Sequence, residues 1–258
     1  MSKVKKILWI SFIVLAVLVI VAVIVAGLFL GDIIKAGMET VGPKITQVTI
    51  KVDAVHLSLL TGAAKIQGLV VGNPEGYKMP QAISVGVVAV GVNPASVLSD
   101  KIVVRSVEVR DPEITFEGNP FGGNNLTKIR DNVSGASAAS QKPATNQTAQ
   151  AASAPGKKLE VDDILITGAK VHVRITGMGG NETTVPLPDI HLTDMGKGPD
   201  GITATDLTKR VLDALTASTI KAVANSASDL GKGAGKSATE DVNKITKSLG
   251  GLFKKSTN

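Results

Sequence analysis

Residues 7–30 run without a charge and with a single hydroxyl side chain, that of Ser11. No other feature constrains the fold of this chain so strongly. A helix of that length measures about 36 Å, enough to cross a hydrocarbon core of about 30 Å with some tilt. Ile, Val, Leu and Phe fill most of it, each favouring insertion by about 0.3–0.6 kcal/mol. Lys3, Lys5 and Lys6 precede the run and bias the N-terminus toward the cytoplasmic side, while Trp9 lies one turn inside, where an indole suits the headgroup boundary. The pattern predicts a cytoplasmic tip over 1–6 and a retained transmembrane helix over 7–30. The alternative is a cleaved signal peptide, but the run is long for one and no Ala-x-Ala site follows it.

The chain has no cysteine. That excludes disulfides, thiolate metal sites and a cysteine nucleophile. It does not exclude an extracytoplasmic place, because a domain of this size can fold without bridges. The net charge is +6, lysines gather at both ends, and only 3% of residues are aromatic. The body carries no basic stripe with interleaved aromatics. A membrane surface therefore suits the charge better than nucleic acid does.

The helix is expected to continue past Gly31 to about Thr40 and to stop at Gly42-Pro43, since proline cannot continue the hydrogen-bond ladder. Beyond it the pattern is β. Val48, Ile50 and Val52 alternate, then Val55, Leu57 and Leu59 alternate on the other parity. Ile83, Val85 and Val87 give way to Val88, Val90 and Val92 in the same manner. A one-residue change of phase moves the apolar set to the opposite face unless a bulge or bend absorbs it, so the strands are expected to be long and bent. Gly72-Asn73-Pro74-Glu75-Gly76 reads as a turn. The segment from Pro94 to Leu98 reads as a short helical turn capped by Asn93.

An internal repeat follows. KIVVRSVEVRDPEITF begins at Lys101 and KLEVDDILITGAKVHV begins at Lys158. Aligned, Ile102 meets Leu159, Val104 meets Val161, Val107 meets Ile164, Val109 meets Ile166, Asp111-Pro112 meets Gly168-Ala169, and Ile114 meets Val171. Each copy reads as a hairpin, and together they suggest stacked β units in one elongated sheet; chance likeness of generic hairpins is the other explanation. Between the copies, residues 134–157 contain no Val, Ile, Leu or aromatic residue and read as a flexible linker. A first β-rich part thus covers 31–133, and a second β unit with a helix covers 158–227. Residues 183–195 are expected to form an edge strand marked by Pro186 and Pro188.

Thr205 is expected to cap a helix running to about Ala227, with Leu207, Val211, Leu212, Leu215, Ala222 and Val223 on its buried face and Lys209, Arg210, Asp213 and Lys221 opposite. Residues 228–258 read as a Gly- and Lys-rich tail. Within it, Val242, Ile245, Leu249, Leu252 and Phe253 form a stripe, with Lys244, Lys247, Lys254 and Lys255 on the other side. Trp9, Leu249, Leu252, Phe253, Lys254 and Lys255 are the candidate membrane-contact residues. A frayed tail, or a helix docked on the body, is the alternative for the tail.

Nothing assembles into a catalytic, metal or cofactor site in the sequence. His56 and His172 alternate with valines and a leucine, so both point to the polar face of their strands, and no histidine pair has metal-ligand spacing. Asp162-Asp163 are adjacent in a strand and point to opposite faces. Gly177-Met178-Gly179-Gly180 and the stretch around Gly235-Lys236-Ser237 share only glycine content with phosphate loops: no strand precedes the latter, and Leu230 stands where its first glycine would be. The expectation is a protein that is not an enzyme, with no cofactor, no nucleotide and no nucleic acid.

The stretch GAAKIQGLVVGNPEGY, beginning at Gly62, resembles the early segment of AsmA-like envelope proteins. The resemblance continues in Ser96-Val97-Leu98, Lys101-Ile102-Val103-Val104, Asp111-Pro112-Glu113-Ile114 and Asn125-Leu126, then a low-complexity insert and a second β unit. It covers roughly residues 41–175. It implies an inner-membrane-anchored periplasmic protein with a β-rich, groove-like fold, linked to lipid transport or outer-membrane upkeep, with no catalytic residues to carry over. The chain is short for direct bridging between two membranes. A weaker resemblance is to the water-stress domain of late-embryogenesis proteins, which would imply a stress-protective module. The expected class is mainly β with helices: a transmembrane helix, then an elongated, bent antiparallel β-sheet of groove- or taco-like form, with a C-terminal amphipathic helix. Membrane lipid, and also other envelope proteins, are the expected partners. Val85, Val87, Val90 and Val92 are the candidate lipid-groove residues, because apolar runs on both parities mean either two buried faces or one lined groove. A structural or assembly module without lipid is the alternative.

Overall fold

The computed structural model describes residues 3–119, 122–140, 157–175 and 182–232. Among the described residues, ten strands form a single open sheet, with three α-helices. The strands are β1 (Ile50–Lys51), β2 (Ala54–Leu57), β3 (Ala63–Gly72), β4 (Gln81–Val92), β5 (Lys101–Arg110), β6 (Glu113–Gly118), β7 (Lys158–Thr167), β8 (Lys170–Ile175), β9 (Glu182–Pro186) and β10 (Ile190–Met195). The helices are α1 (Lys3–Thr46), α2 (Asn125–Ser140) and α3 (Ala204–Lys232), and a 3-10 turn spans Pro94–Leu98.

The ten strands are segments of six long ones. Val88 faces Val109 and Ile83 faces Ile114 in one unbroken antiparallel register, so β5 and β6 are one strand alongside β4. β7–β8 and β9–β10 join in the same way, and β1–β2 runs as one strand along β3. The breaks line up. Asp53, Gly68, Gly86, Asp111, Gly168 and Pro188 fall at one level across the sheet by these registers. Gly68 (φ 61), Asp111 (φ 49) and Gly168 (φ 66) are left-handed there. Each strand spends one residue at this crease outside the alternation, so its side-chain parity inverts while its register with both neighbours survives. Ile83 and Val85 before the crease and Val88 after it therefore share one core. This is the bend that the changes of phase predict. A second crease passes Gly62 (φ 72) and Asp194 (φ 55), where the register also shifts between Gly91 and Val92.

The repeat alignment is the register of the sheet. Ile102 pairs with Leu159, Val107 with Ile164, and Ile114 with Val171. The two copies are parallel neighbours, however, and not two hairpins, so the sheet is mixed and the wholly antiparallel expectation is corrected. Parallel neighbours need a long crossover. Here it contains α2, which carries helix seven residues into the stretch read as a linker. Leu126, Ile129, Val133 and Ser137, with Asn125 at its start, are its buried side chains, a stripe at helical spacing that packs on the core. The sequence reading missed it because only three of these residues are apolar. Residues 141–156 lie outside the described residues.

Three helix boundaries also differ from expectation. α1 continues through Pro43 to Thr46, because a proline in the last turn forfeits a single bond, and it ends at Gln47 in the left-handed region (φ 57). Thr203 and not Thr205 caps α3: its hydroxyl accepts from the Asp206 N–H at 3.0 Å and donates to the Asp206 carboxylate at 2.8 Å, a reciprocal capping arrangement. α3 then extends to Lys232, beyond Ala227. Its expected buried face holds, with Leu212, Leu215 and Val223 in the core and Leu207, Val211 and Ala222 packed beside it. β9–β10 is an edge of the sheet, as its prolines predict.

The backbone of α1 is helical throughout, but most side chains over 7–28, Trp9 included, lie outside the described residues. Among the described residues no helix is long and apolar enough to cross a membrane. The C-terminal amphipathic helix, with Leu249, Leu252, Phe253, Lys254 and Lys255, also lies outside them, as do Gly235-Lys236-Ser237 and Gly177-Met178-Gly179-Gly180.

The crease makes a stability prediction. A Cβ at Gly168 would sit 2.4 Å from the Asp111 carboxylate oxygen, at positive φ; a Cβ at Gly86, on the same row, would meet nothing. Gly168→Ala is expected to cost about 1–3 kcal/mol, and Gly86→Ala about 0.5 kcal/mol or less. Urea denaturation of the two variants checks this.

Candidate functional site

Among the described residues, the sheet is covered by helices on one face only. On that face, Val55, Val88, Ile164, Ile166 and Ile190 on one side of the crease and Ile83, Val85, Ile114, Phe116, Val171 and Val173 on the other are buried. Leu126, Ile129 and Val133 of α2 and Leu212, Leu215 and Val223 of α3 close over it. The opposite face carries a row in register across the sheet, polar at His56, Lys65, Glu108 and His191 and apolar at Ala89 and Leu165.

The four groove candidates do not come together. Val85 is 5% exposed and belongs to the core. Val90 packs beside that core. Val87, one residue from the crease, is 42% exposed on the open face, and Val92 stands half-buried at the second crease. The alternation that made them look like one lining is cut by the crease between Val85 and Val88.

α1 guards the outer edge of the sheet. Its residues Gly31, Lys35, Glu39 and Gly42 share one helical face and lie along β1–β2. The Val52 N–H donates to Glu39 Oε1 at 2.9 Å, and Lys35 Nζ donates to the Asp53 carbonyl at 2.9 Å. A Cβ at Gly31 would stand 2.2 Å from the Val55 carbonyl oxygen, and one at Gly42 2.5 Å from Ile50 Cδ1. Unpaired strand edges invite association, and here the helix satisfies or shields them. Beside this seam, α1 and the open face enclose a cleft of ≈ 860 Å³ lined by Asp32, Lys35, Asp53, His56, Lys65 and Glu108 over a floor of small residues. It carries three carboxylates against two lysines, and His56 Nε2 is 3.2 Å from Gln67 Oε1. His172 lies between Glu113 (2.9 Å) and Thr184 (3.2 Å), and His191 bonds Asp163; all three histidines are on the polar face. Asp162 is exposed and Asp163 half-buried. Among the described residues no group of three or more His, Asp or Glu could hold a metal ion.

At the other end of the sheet sits a buried polar knot. Asn125, fully buried, donates to Asn73 Oδ1 and to the Thr115 carbonyl, both at 2.7 Å, and accepts from the Glu117 N–H at 2.9 Å. The nearly buried Glu117 carboxylate accepts from the Lys78 and Met79 N–H groups. Burial, and then the negative charge of Glu117, push the Tyr77 hydroxyl above its ordinary pKa. The Asn-Pro turn and the Asn-Leu pair, far apart in sequence, are thus one structural joint. Neither motif carries a sequence signal that the two touch.

A creased sheet backed by helices on one face and stitched along its edge to a long N-terminal helix makes the described residues a mixed α+β scaffold. The AsmA family model matches residues 1–185, and the chain belongs to that family. Membership points to the bacterial envelope and to envelope or outer-membrane maintenance. No curated protein matches the chain.

The joint between α2 and α3 has a pH signature. The Ser137 hydroxyl donates to the Asp206 carboxylate and is the main reason its pKa lies below the ordinary value of 3.8; burial opposes this, and Thr203 adds to it. A lowered carboxyl pKa gives stability that is present above that ordinary value and lost as pH falls through the folded one. Asp206→Asn is expected to cost about 1–3 kcal/mol at neutral pH, with the deficit narrowing below pH 3.8. Denaturation midpoints of variant and parent, compared across pH, test it.

Proposed function

We propose that this protein is a non-enzymatic factor of the bacterial inner membrane, with its N-terminus in the cytoplasm, one helix across the bilayer and the creased sheet in the periplasm. In this reading its apolar sheet face takes up lipid acyl chains when α3 lifts. The observation that carries the reading is the unbroken helix Lys3–Thr46. Residues 7–30 of it are an uncharged apolar sequence, and its later turns are bonded to the edge of the sheet, so whatever holds the helix holds the body. Ile13, Leu15, Val17, Leu18 and Phe29 are exposed on it, which suits lipid better than water.

The lifting of α3 is supported by its own packing. The Thr216 and Thr219 hydroxyls are buried in the face it docks and have no hydrogen-bond partner among the described residues. Each such group costs about 1–3 kcal/mol, so α3 closes the apolar face less firmly than a fully apolar stripe would. A second reading, a structural or assembly module without lipid, is favoured by the same face being already filled by Leu212, Leu215 and Val223.

Two measurements test the proposal. Reporter fusions after Lys35 and after Lys157 are expected to be active in the periplasm only; cytoplasmic activity at both overturns the topology. Lipid mass spectrometry on the full chain, extracted in detergent, is expected to find phospholipid bound in stoichiometric amount, and more of it in Leu215→Ala, which loosens the cover. Protein free of lipid in both forms leaves the structural module as the function.

A further inference from the structure

The sheet reaches back toward the membrane along its own anchor. Gly42 of α1 meets Ile50, and Gly31 meets Val55, so helix and strand run side by side in opposite directions. Eleven helical residues and five strand residues each span about 16 Å, which means that β1–β2 follows the helix axis closely. From Val55 the chain continues three residues to Ser58 before it turns, with Ser58 N–H donating to the Ala63 carbonyl and Gly62 N–H to the Ser58 carbonyl. Those three residues carry the turn about 10 Å past Gly31, level with roughly residue 24 of α1. Residue 24 lies inside the uncharged run, whose length of about 36 Å exceeds a core of about 30 Å by only a few ångströms.

The segments at this end carry exposed apolar side chains. Leu60, at the tip of the turn, is 66% exposed, and Leu98, at the end of the 3-10 turn, is 93% exposed. The two segments abut: a Cβ at Gly62 would lie 3.0 Å from Pro94 Cδ, and the Val92 N–H donates to the Gly62 carbonyl at 2.7 Å. Residues 58–62 carry no charge. A single exposed leucine is ordinary on a protein surface; two on abutting tips at the membrane-facing end of the sheet are the informative arrangement.

We propose that the turn at 58–62 and the 3-10 turn Pro94–Leu98 dock on the bilayer that α1 spans, with Leu60 and Leu98 entering its interface as a second attachment. This rests on the reading of α1 as a membrane anchor. Docking there fixes the tilt of the sheet against the membrane and sets the cleft beside Asp32 and Lys35 at the lipid surface.

The absence of cysteine makes the test direct. Leu60→Cys, Leu98→Cys, Val17→Cys and Glu75→Cys are each spin-labelled in the full chain and placed in vesicles of phosphatidylethanolamine and phosphatidylglycerol. Accessibility to oxygen, which partitions into lipid, is compared with accessibility to a water-soluble nickel chelate. Glu75, in the turn at the far end of the sheet, is the aqueous reference, and Val17 reports the anchor alone. The labels at 60 and 98 are expected to show several-fold higher oxygen-to-nickel ratios than the label at 75. If both match the reference while Val17 is immersed, the docking idea fails and the anchor stands; if Val17 is aqueous as well, both fail. Tip labels shielded from both reagents mean protein contact and overturn the proposal. Tip labels in lipid with Val17 immersed support it; tip labels in lipid with Val17 aqueous overturn it, because α1 then spans no bilayer beside them.

Discussion

Six hydrogen-bonded strands can bend together without breaking their ladder only if they all bend at the same level. In this protein they do, along the row Asp53, Gly68, Gly86, Asp111, Gly168 and Pro188. A bend in one strand alone would slip its register by one residue and expose its apolar set. With one residue set aside in every strand, the apolar faces on the two sides of the crease merge. α2 and α3 then cover a single continuous surface. The left-handed geometry at Gly68 and Gly168 is natural to glycine. Asp111 adopts it too, in keeping with the tolerance of Asp for that region.

The rest of the architecture holds this bent sheet in place. α1 satisfies the outer edge through Lys35 and Glu39, and Asn132 of α2 donates to the Thr46 carbonyl at the end of α1. The knot of Asn73, Asn125 and Glu117 pins the β3–β4 loop to the start of α2. The first of these contacts join α1 to the strand that follows it and the others join elements far apart in sequence, so the sheet, its cover and the long helix form a connected body. For a protein of the envelope this matters: a helix that continues without a break into the sheet edge transmits its orientation to everything attached to it.

Much of the β half was legible in the sequence because strands carry their burial pattern at a period of two. The change of parity between Val85 and Val88 foretold the crease, and the repeat alignment foretold which residues lie side by side. Direction was not legible, since apolar periodicity is the same in parallel and antiparallel pairs. α2 was missed because Ser137 and the asparagines at its start hide a stripe of only three apolar residues. Of the candidate groove residues, Val85 and Val90 share a face and Val87 lies opposite, a division set by where the crease falls within one strand.

By itself the sequence determined the long apolar helix, the bent strands, the register of the repeat, the edge strand and the buried face of α3, because each depends on the local spacing of apolar side chains or on proline chemistry. Only the tertiary structure decided that the bends align in one row, that the repeats are parallel neighbours, that Asn73 meets Asn125, and that Gly31, Lys35, Glu39 and Gly42 form the seam with the sheet edge. Those outcomes depend on which distant segments become neighbours, and long-range pairing leaves no periodic mark on the chain.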